Sequence, residues 1–493
     1  MAKTGENEGA DKTKAAGETD EEGKPQPKFV TGSTMRHVSV MTMTGSVGLV
    51  AIFLVDFADM FFLSLLGEVA IAAAIGYAGT ILFFNTSISI GMAIAATALV
   101  SRALGAGDRE RARRLAASSA TVIFIAMIVI AAILFPLLPV ALDLLGATGE
   151  ARELALGYMQ IIVPSMPLLG IGMVSGALLR ATGDAKRSMY VTLTGGAVNA
   201  VFDPIFIFAL DLGVDGAAMA SVLSRFAIAF MGYWGVVRVH NLIARPSLRH
   251  IAEDIRPLAG IAVPAVLTNI ATPVGNAYVT AAIAGHGDGA VAGWAIIGRL
   301  VPVAFGVIFA LSGAVGPIFG QNLGARRFDR LQMAFRDSLI FCLGYVFVVW
   351  VLLALTQNWI VALFSVTGDA ASLIRLFCSF IAVSFLFNGM LFVANATFNN
   401  LGFPTYSTAL NWGKATLGTI PFVSLGALWG GAPGILIGQG VGAVLFGIIA
   451  AAVAWRTVKG MADNPPPPDA PRKPAVITRA LWPFSSGKTF SAD

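Results

Sequence analysis

Twelve long, predominantly apolar runs constrain this 493-residue chain more than any other feature. They lie near residues 38–65, 69–98, 116–142, 152–178, 187–210 and 214–237, then 257–283, 288–320, 333–363, 370–396, 403–428 and 432–456. An α-helix needs about 20 such residues to cross a bilayer. Composition agrees: 12% of residues are charged, against roughly 25% in soluble domains. The expected class is an all-α integral membrane protein with twelve transmembrane helices.

Basic residues test the topology. Arg102, Arg109, Arg111, Arg113 and Arg114 fall between the second and third runs, and Arg180, Lys186 and Arg187 between the fourth and fifth. Arg238, Arg245, Arg249 and Arg256 follow the sixth, and Arg326, Arg327, Arg330 and Arg336 the eighth. The alternate connections hold almost none, Arg152 being the exception. By the positive-inside rule both termini are cytoplasmic, in a multi-pass protein of the inner membrane. The net charge of +5 therefore reflects topology, and no nucleic-acid partner is expected.

The two halves repeat. SRALGAGDRERARRLA (101–116) parallels GQNLGARRFDRLQMA (320–334), LLRATGDAKRSMY (178–190) parallels TFNNLGFPTYSTA (397–409), and GVDGAA (213–218) parallels GAPGIL (431–436). The offset stays at 218–219 residues, which points to duplication. Six spans is an even number, so both halves share one orientation, as in carriers built from parallel repeats. The expected organisation is an N-lobe over 36–237, a cytoplasmic linker over 238–256 and a C-lobe over 257–457. Residues 1–35 carry mixed charge and no apolar core, so they read as a retained, disordered cytoplasmic segment rather than a signal peptide. Residues 458–493, with Pro465–Pro468 and a basic end, read as a solvated cytoplasmic tail.

Within the apolar runs, polar residues mark candidate chemistry. Asn199 and Asp203 lie in VTLTGGAVNAVFDPIFIFAL, at a spacing that puts both on one helix face. A carboxylate there costs roughly 2.5–3.5 kcal/mol on insertion scales, so it faces a partner, a cavity or an ion. Pro204 follows directly and removes a backbone donor, freeing a carbonyl one turn back. This is the pattern of a cation or proton site inside a membrane carrier. Asp56 and Asp59 share a face of the first helix, and two close acids in a low dielectric do not both ionise cheaply. The second half has no interior acid; Asp337 and Asp369 lie near span ends. Coupling is therefore expected in the first half. Ser221 is placed either to face Asp203 or to bond its own i−4 carbonyl, and Tyr158 to join the site or an interfacial belt. The second half offers Asn276, Arg299, Asn388, Asn395, Asn411, Lys414 and Gln439; Asn276, Arg299, Asn395 and Lys414 are the substrate-cavity candidates.

Enzyme signatures are absent: no GxxxxGK[ST], GxSxG, HExxH or CxxC occurs, and four histidines are scattered without ligand spacing. Cys342 and Cys378 make neither a disulfide framework nor a metal set. No catalytic residues and no cofactor are expected.

The stretches VDFADMFFLSLLG, SRALGAGDRERARR, LLRATGDAKRSMYVTLTGGAVNAVFDPIFIF, GVDGAAMAS and GPIFGQNLGARR resemble the multidrug and toxic compound extrusion (MATE) family, across both halves and in the family's order. The acids confined to the first half make the chain more similar to its DNA-damage-inducible F branch. On this resemblance Asp59, seven residues before Leu66-Gly67, takes the place of the family's first-span acid. Asn199 and Asp203 correspond to the fifth-span pair, Ser221 to the hydroxyl after Gly-Ala-Ala, and Tyr158 to a tyrosine of this branch. Asp59, Asn199 and Asp203 would be the ligands if Na+ rather than H+ couples. Two departures stand out: Gly176 replaces a fourth-span Asn often found in the family, and Asp56 is an additional acid. The resemblance implies a monomeric secondary antiporter that exports amphipathic, mostly cationic small molecules in exchange for H+ or Na+. The alternative is a lipid-linked oligosaccharide flippase of the same superfamily, toward which Arg299 and Lys414 lean, while the span count and first-half acids lean against it.

Overall fold

The structure, a computed structural model, describes residues 27–64 and 69–463, with the side chains of 56–61, 63, 64 and 69 outside the description. The N-terminal extension to residue 26, Leu66-Gly67 and the Pro-rich tail also lie outside the described residues. Among the described residues the regular structure is all helical. The first half comprises α1 (Thr34–Ser64), α2 (Val69–Gly105), α3 (Arg109–Leu144), α4 (Gly149–Ile162), α5 (Met166–Ala181), α6 (Ala185–Pro204) and α7 (Gly213–Trp234). The second comprises α8 (Leu248–Ala284), α9 (Asp288–Gly324), α10 (Phe328–Leu363), α11 (Gly368–Ser379), α12 (Phe385–Leu401), α13 (Pro404–Ala415) and α14 (Ile420–Asp463).

Eleven helical runs among the described residues are long and apolar enough to cross a bilayer. The last, Pro404–Asp463, has 60 residues, about 90 Å if straight, three times the ~30 Å of hydrocarbon. It folds back at Gly431, whose φ of +58° suits glycine. Beyond the turn Gly434, Gly438 and Gly442 lie against the backbone of Gly426, Phe422 and Gly418. That antiparallel seam leaves no room for side chains and supplies two crossings. The total is twelve, six per lobe.

The repeat seen in sequence holds element by element. α2 and α9 begin at Val69 and Asp288, α3 and α10 at Arg109 and Phe328, α6 and α13 at Ala185 and Pro404, each 219 residues apart. Left-handed residues recur at the same spacing: Gly107 and Arg326, Gly146 and Ser365, Gly183 and Gly402. In each lobe the fourth crossing is broken by a 3-10 turn, Val163–Ser165 in one and Ile381–Ser384 in the other.

Each lobe borrows from the other. Phe29, Val38 and Met41, at the head of α1, belong to the C-lobe core with Ile308, Phe319 and Leu331. Leu258, Ile261 and Ala262, near the head of α8, belong to the N-lobe core with Leu115 and Leu178. The polar anchors are exchanged in the same way. Ser118 of α3 donates to Asp254 of α8 at 2.7 Å, joined by Arg114 at 2.9 Å, while Thr34 of α1 donates to Asp337 of α10.

α8 starts at Leu248, nine residues ahead of the seventh apolar run, so the true connection is shorter than 238–256. The cause is length: α8 and α9 have 37 residues each, about 55 Å, and several turns stand in water where hydropathy gives no signal. The basic connections gather at one end, termed here the basic face. There Arg109 donates to the His240 carbonyl at 2.7 Å and His240 meets Asp184 at 2.8 Å. Asp184 also caps α6 by accepting from the Arg187 amide at 3.1 Å. Burial pushes the Asp184 carboxyl upward, but the hydrogen bonds from His240 and Arg187 prevail and hold it well below the usual carboxylate range.

Candidate functional site

Asp203 has 0% exposure, and Asn199, one turn earlier on α6, is also buried. The Asn199 Nδ2 donates to the Asp203 carboxylate at 2.7 Å. Hydrogen bonds to a charged group contribute about 1.5–3 kcal/mol, comparable to the insertion cost of the charge, so this one stabilises the carboxylate substantially. Directly beyond, Pro204 ends the α-helix and Ile205–Ala209 forms a π-helical turn. Such turns replace the regular ladder and recur where a helix carries function. The acid therefore sits one residue before a break.

Three helices frame the pair. α6 packs on α1 and α7, and Ser224 of α7 donates to the Gly195 carbonyl of α6 at 2.8 Å. Ser221 is partly buried on α7. Tyr158 of α4 packs with Ile207, Val214 and Ala217, in the small apolar cluster between the end of α6 and the start of α7. Asp56 and Asp59 lie on α1, which packs on α6; their side chains are outside the described residues. The structure thus joins Asn199 to Asp203 directly and brings the elements carrying Tyr158, Ser221 and the first-span acids around them. Oxygen donors of this kind suit a proton or a hard monovalent cation. Among the described residues no cluster of three His, Cys, Asp or Glu side chains could hold a metal.

The second-half candidates are dispersed. Lys414 of α13 is partly buried and donates to Asn388 Oδ1 of α12. No described carboxylate pairs with it. Asn395 accepts from Asn411 Nδ2 at 2.9 Å, and its carbonyl accepts from Ser407, in a network internal to the lobe. Asn276 and Arg299 are exposed on α8 and α9.

Two features went unread in the sequence. Arg225 of α7 is an intramembrane cation whose Nη1 donates to the Ile162 carbonyl at 3.1 Å and to Ser165 at 2.8 Å. It satisfies the broken fourth crossing; the charge inside VLSRFAIAF was the available signal. The other is a clasp at the basic face. α2 and α9 cross so closely that a Cβ on Gly105 would lie 2.0 Å from the Gln321 carbonyl oxygen, and one on Gly324 2.1 Å from that of Arg102. Arg102 donates to the carbonyls of Asn400 at 2.7 Å and Asn399 at 3.1 Å. The segment before α1 wedges between the lobes: Phe29, fully buried, donates its amide to Gln321 at 3.0 Å, and Gln321 donates to the Ala181 carbonyl at 2.8 Å. Lys28 holds the Gly183 carbonyl at 2.7 Å. Residues 27–35 are therefore packed and lead into α1 at Thr34, against the expectation of a disordered segment to residue 35, because the stretch is too short and mixed to show an apolar pattern.

The family model described as MatE matches residues 46–205 and 264–424. Among curated proteins the chain is similar to the FAD transporter of Shewanella oneidensis, 27% identical over 423 residues, covering 84% of this chain and 93% of that protein. It is also similar to the multidrug export protein MepA of Staphylococcus aureus, 26% identical over 368 residues, covering 73% and 79%. Among solved structures, the Vibrio cholerae MATE transporter VcmN in the bent form superposes with a TM-score of 0.81 at 25% identity, covering 86% of this chain and 97% of that one.

Proposed function

Because this chain belongs to the MatE family, whose members are membrane transporters and not enzymes, we propose that it is a secondary active exporter of amphipathic small molecules, driven by entry of H+ or Na+ at Asp203. The observation that carries this reading is the wholly buried Asn199–Asp203 pair set against Pro204 and the π-helical turn. Neutralising Asp203 with a proton or Na+ removes a charge from low dielectric and lowers the cost of repacking α6, with the break beyond Pro204 as hinge. In this reading Asp59 carries the proton or cation together with Asp203, Asn199 and Ser221 complete the shell, Tyr158 joins it from α4, and Asp56 is an additional acid of the same helix. Acids confined to the first half support a likeness to the DNA-damage-inducible F branch.

Substrate and ion must favour different states of the N-lobe, since a ligand shifts an equilibrium only through differential affinity. By linkage, whatever factor the ion costs the substrate, the substrate costs the ion. The basic face is the cytoplasmic one, so the clasp of α2, α9 and Phe29 corresponds to the state closed toward the cytoplasm. Loading from that side requires the clasp to part. The protein works as a monomer in the inner membrane.

The deciding experiment is uptake of a fluorescent lipophilic cation into proteoliposomes under an imposed proton or Na+ gradient. Gradient-dependent uptake that Asp203→Asn abolishes is the expected result; uptake that persists in the variant sinks the coupling site. A second reading concerns the substrate. Lys414, bonded to neutral Asn388 and to no described acid, favours an anionic group in the C-lobe, in line with the similarity to an FAD transporter. Gradient-driven uptake of labelled FAD, lost in Lys414→Gln, would select it over the cationic substrate.

A further inference from the structure

α2 and α3 leave between them a lateral groove of about 510 Å³. Its walls are Ile81, Phe84 and Ile88 of α2 with Ile130, Leu134 and Leu137 of α3. Phe84 is 52% exposed, and both helices are spanning segments, so the groove opens to lipid. Among the described residues, no ionisable residue and no residue of the Asp203 site lines it. At its base is Asn85, 3% exposed, whose side-chain nitrogen and oxygen both lack a hydrogen-bond partner among the described residues. The buried amides of Asn199, Asn322, Asn395, Asn400 and Asn411 each make at least one bond. An amide with both ends unmet in an apolar wall is costly, and native structures rarely keep one without a reason.

Depth narrows what can satisfy it. Tyr77 bonds the Gly146 carbonyl at the end of α3 farthest from the basic face, and Ser89 reaches Met127. Asn85 therefore stands beside residues near Leu134, on the order of 16 Å along the helix from Leu145, around the middle of the hydrocarbon. Phospholipid ester groups lie at the membrane edge; a chain passing Asn85 presents only methylenes. A charged ligand would be left without a counter-ion. The volume suits a drug-sized molecule.

We propose that this groove is a binding site for an uncharged, largely apolar small molecule bearing an amide-type group, toward which the buried Asn85 side chain turns so that its oxygen and nitrogen pair with the ligand's N–H and C=O. The inference rests on the α2–α3 geometry and is independent of the coupling site.

The test uses the full chain in nanodiscs and an aryl trifluoromethyl-diazirine carrying a primary benzamide, with its methyl ester as the isostere lacking N–H. After irradiation, mass spectrometry maps the labelled peptides. The amide probe is expected to label residues 80–88 and 130–145 about tenfold more than the ester, with unlabelled benzamide competing. Asn85→Leu should reduce amide labelling to the ester level without lowering the melting temperature, because it removes an unmet polar group. Phe84→Trp, which fills the groove from its exposed wall and leaves Asn85 intact, should block labelling as well. Equal labelling by both probes would mean that the groove holds only alkyl chains or lipid and overturns the proposal. So would amide labelling confined to other helices, or labelling that survives Phe84→Trp.

Discussion

At the scale of single residues, a carboxylate with no exposure inside a membrane helix is retained against its own insertion cost, roughly 2.5–3.5 kcal/mol. Asp203→Asn keeps shape and the contact to Asn199 while deleting the charge. It should leave the helical circular dichroism and melting temperature near the parent's yet abolish gradient-driven uptake. Asn199→Leu removes one charge-assisted bond of about 1.5–3 kcal/mol and should weaken the ion dependence of transport by about ten- to a hundredfold. A measured dependence unchanged in Asn199→Leu would take the amide out of the site. The Asn199–Asp203 pair was legible because hydrocarbon makes any charge conspicuous and the four-residue spacing fixes a shared face. Arg225 was just as conspicuous, but its partners, the Ile162 carbonyl and Ser165, exist only where the fourth crossing breaks. Nor does charge alone say which way Asn395 points; the structure turns it to Asn411 rather than to open space.

Elements were read more fully than their ends. Twelve crossings follow from run length, and the 219-residue spacing of the halves was already present in short matching stretches. Helix ends followed poorly, because the turns of α8 and α9 beyond the hydrocarbon are polar and carry no hydropathy signal. The return of α14 at Gly431 was marked by glycine and Pro433, whereas its seam depends on glycines meeting across space. That seam gives a contrast within one helix. A Cβ at Gly438 would lie 2.2 Å from the Phe422 carbonyl oxygen, while one at Gly430 would have nothing within 4 Å. Gly438→Val should cost at least the ~1–3 kcal/mol typical of overpacking and lower the melting temperature measurably. Gly430→Ala should leave it unchanged. Similar melting of the two variants would argue against close packing at the hairpin.

For the whole molecule, the proposed transport cycle turns on the parting of α2 from α9. Ser101 is fully buried there, and a Cβ on Gly320 would lie 1.8 Å from its hydroxyl. Gly105→Leu cannot be accommodated at the crossing and should shift the population toward the parted state. A cysteine at Ser101 should then react with a water-soluble maleimide about tenfold faster than in the parent, a population shift of about 1.4 kcal/mol. The native Cys342 and Cys378 are buried and supply a slow background. An unchanged rate would mean that the crossing is not the barrier to access. The same crossing has a bearing on assembly. Gly105 meets residue 321 and Gly324 meets residue 102; adding 219 to the first pair's N-lobe member and subtracting it from the other yields the second pair. Such reciprocal contact is what two copies of one six-helix chain would make about a two-fold axis. The connection between α7 and α8 then serves to fix stoichiometry, not to create the interface. Two chains divided at residue 243, made together in one cell, should find each other and co-purify as a working one-to-one pair.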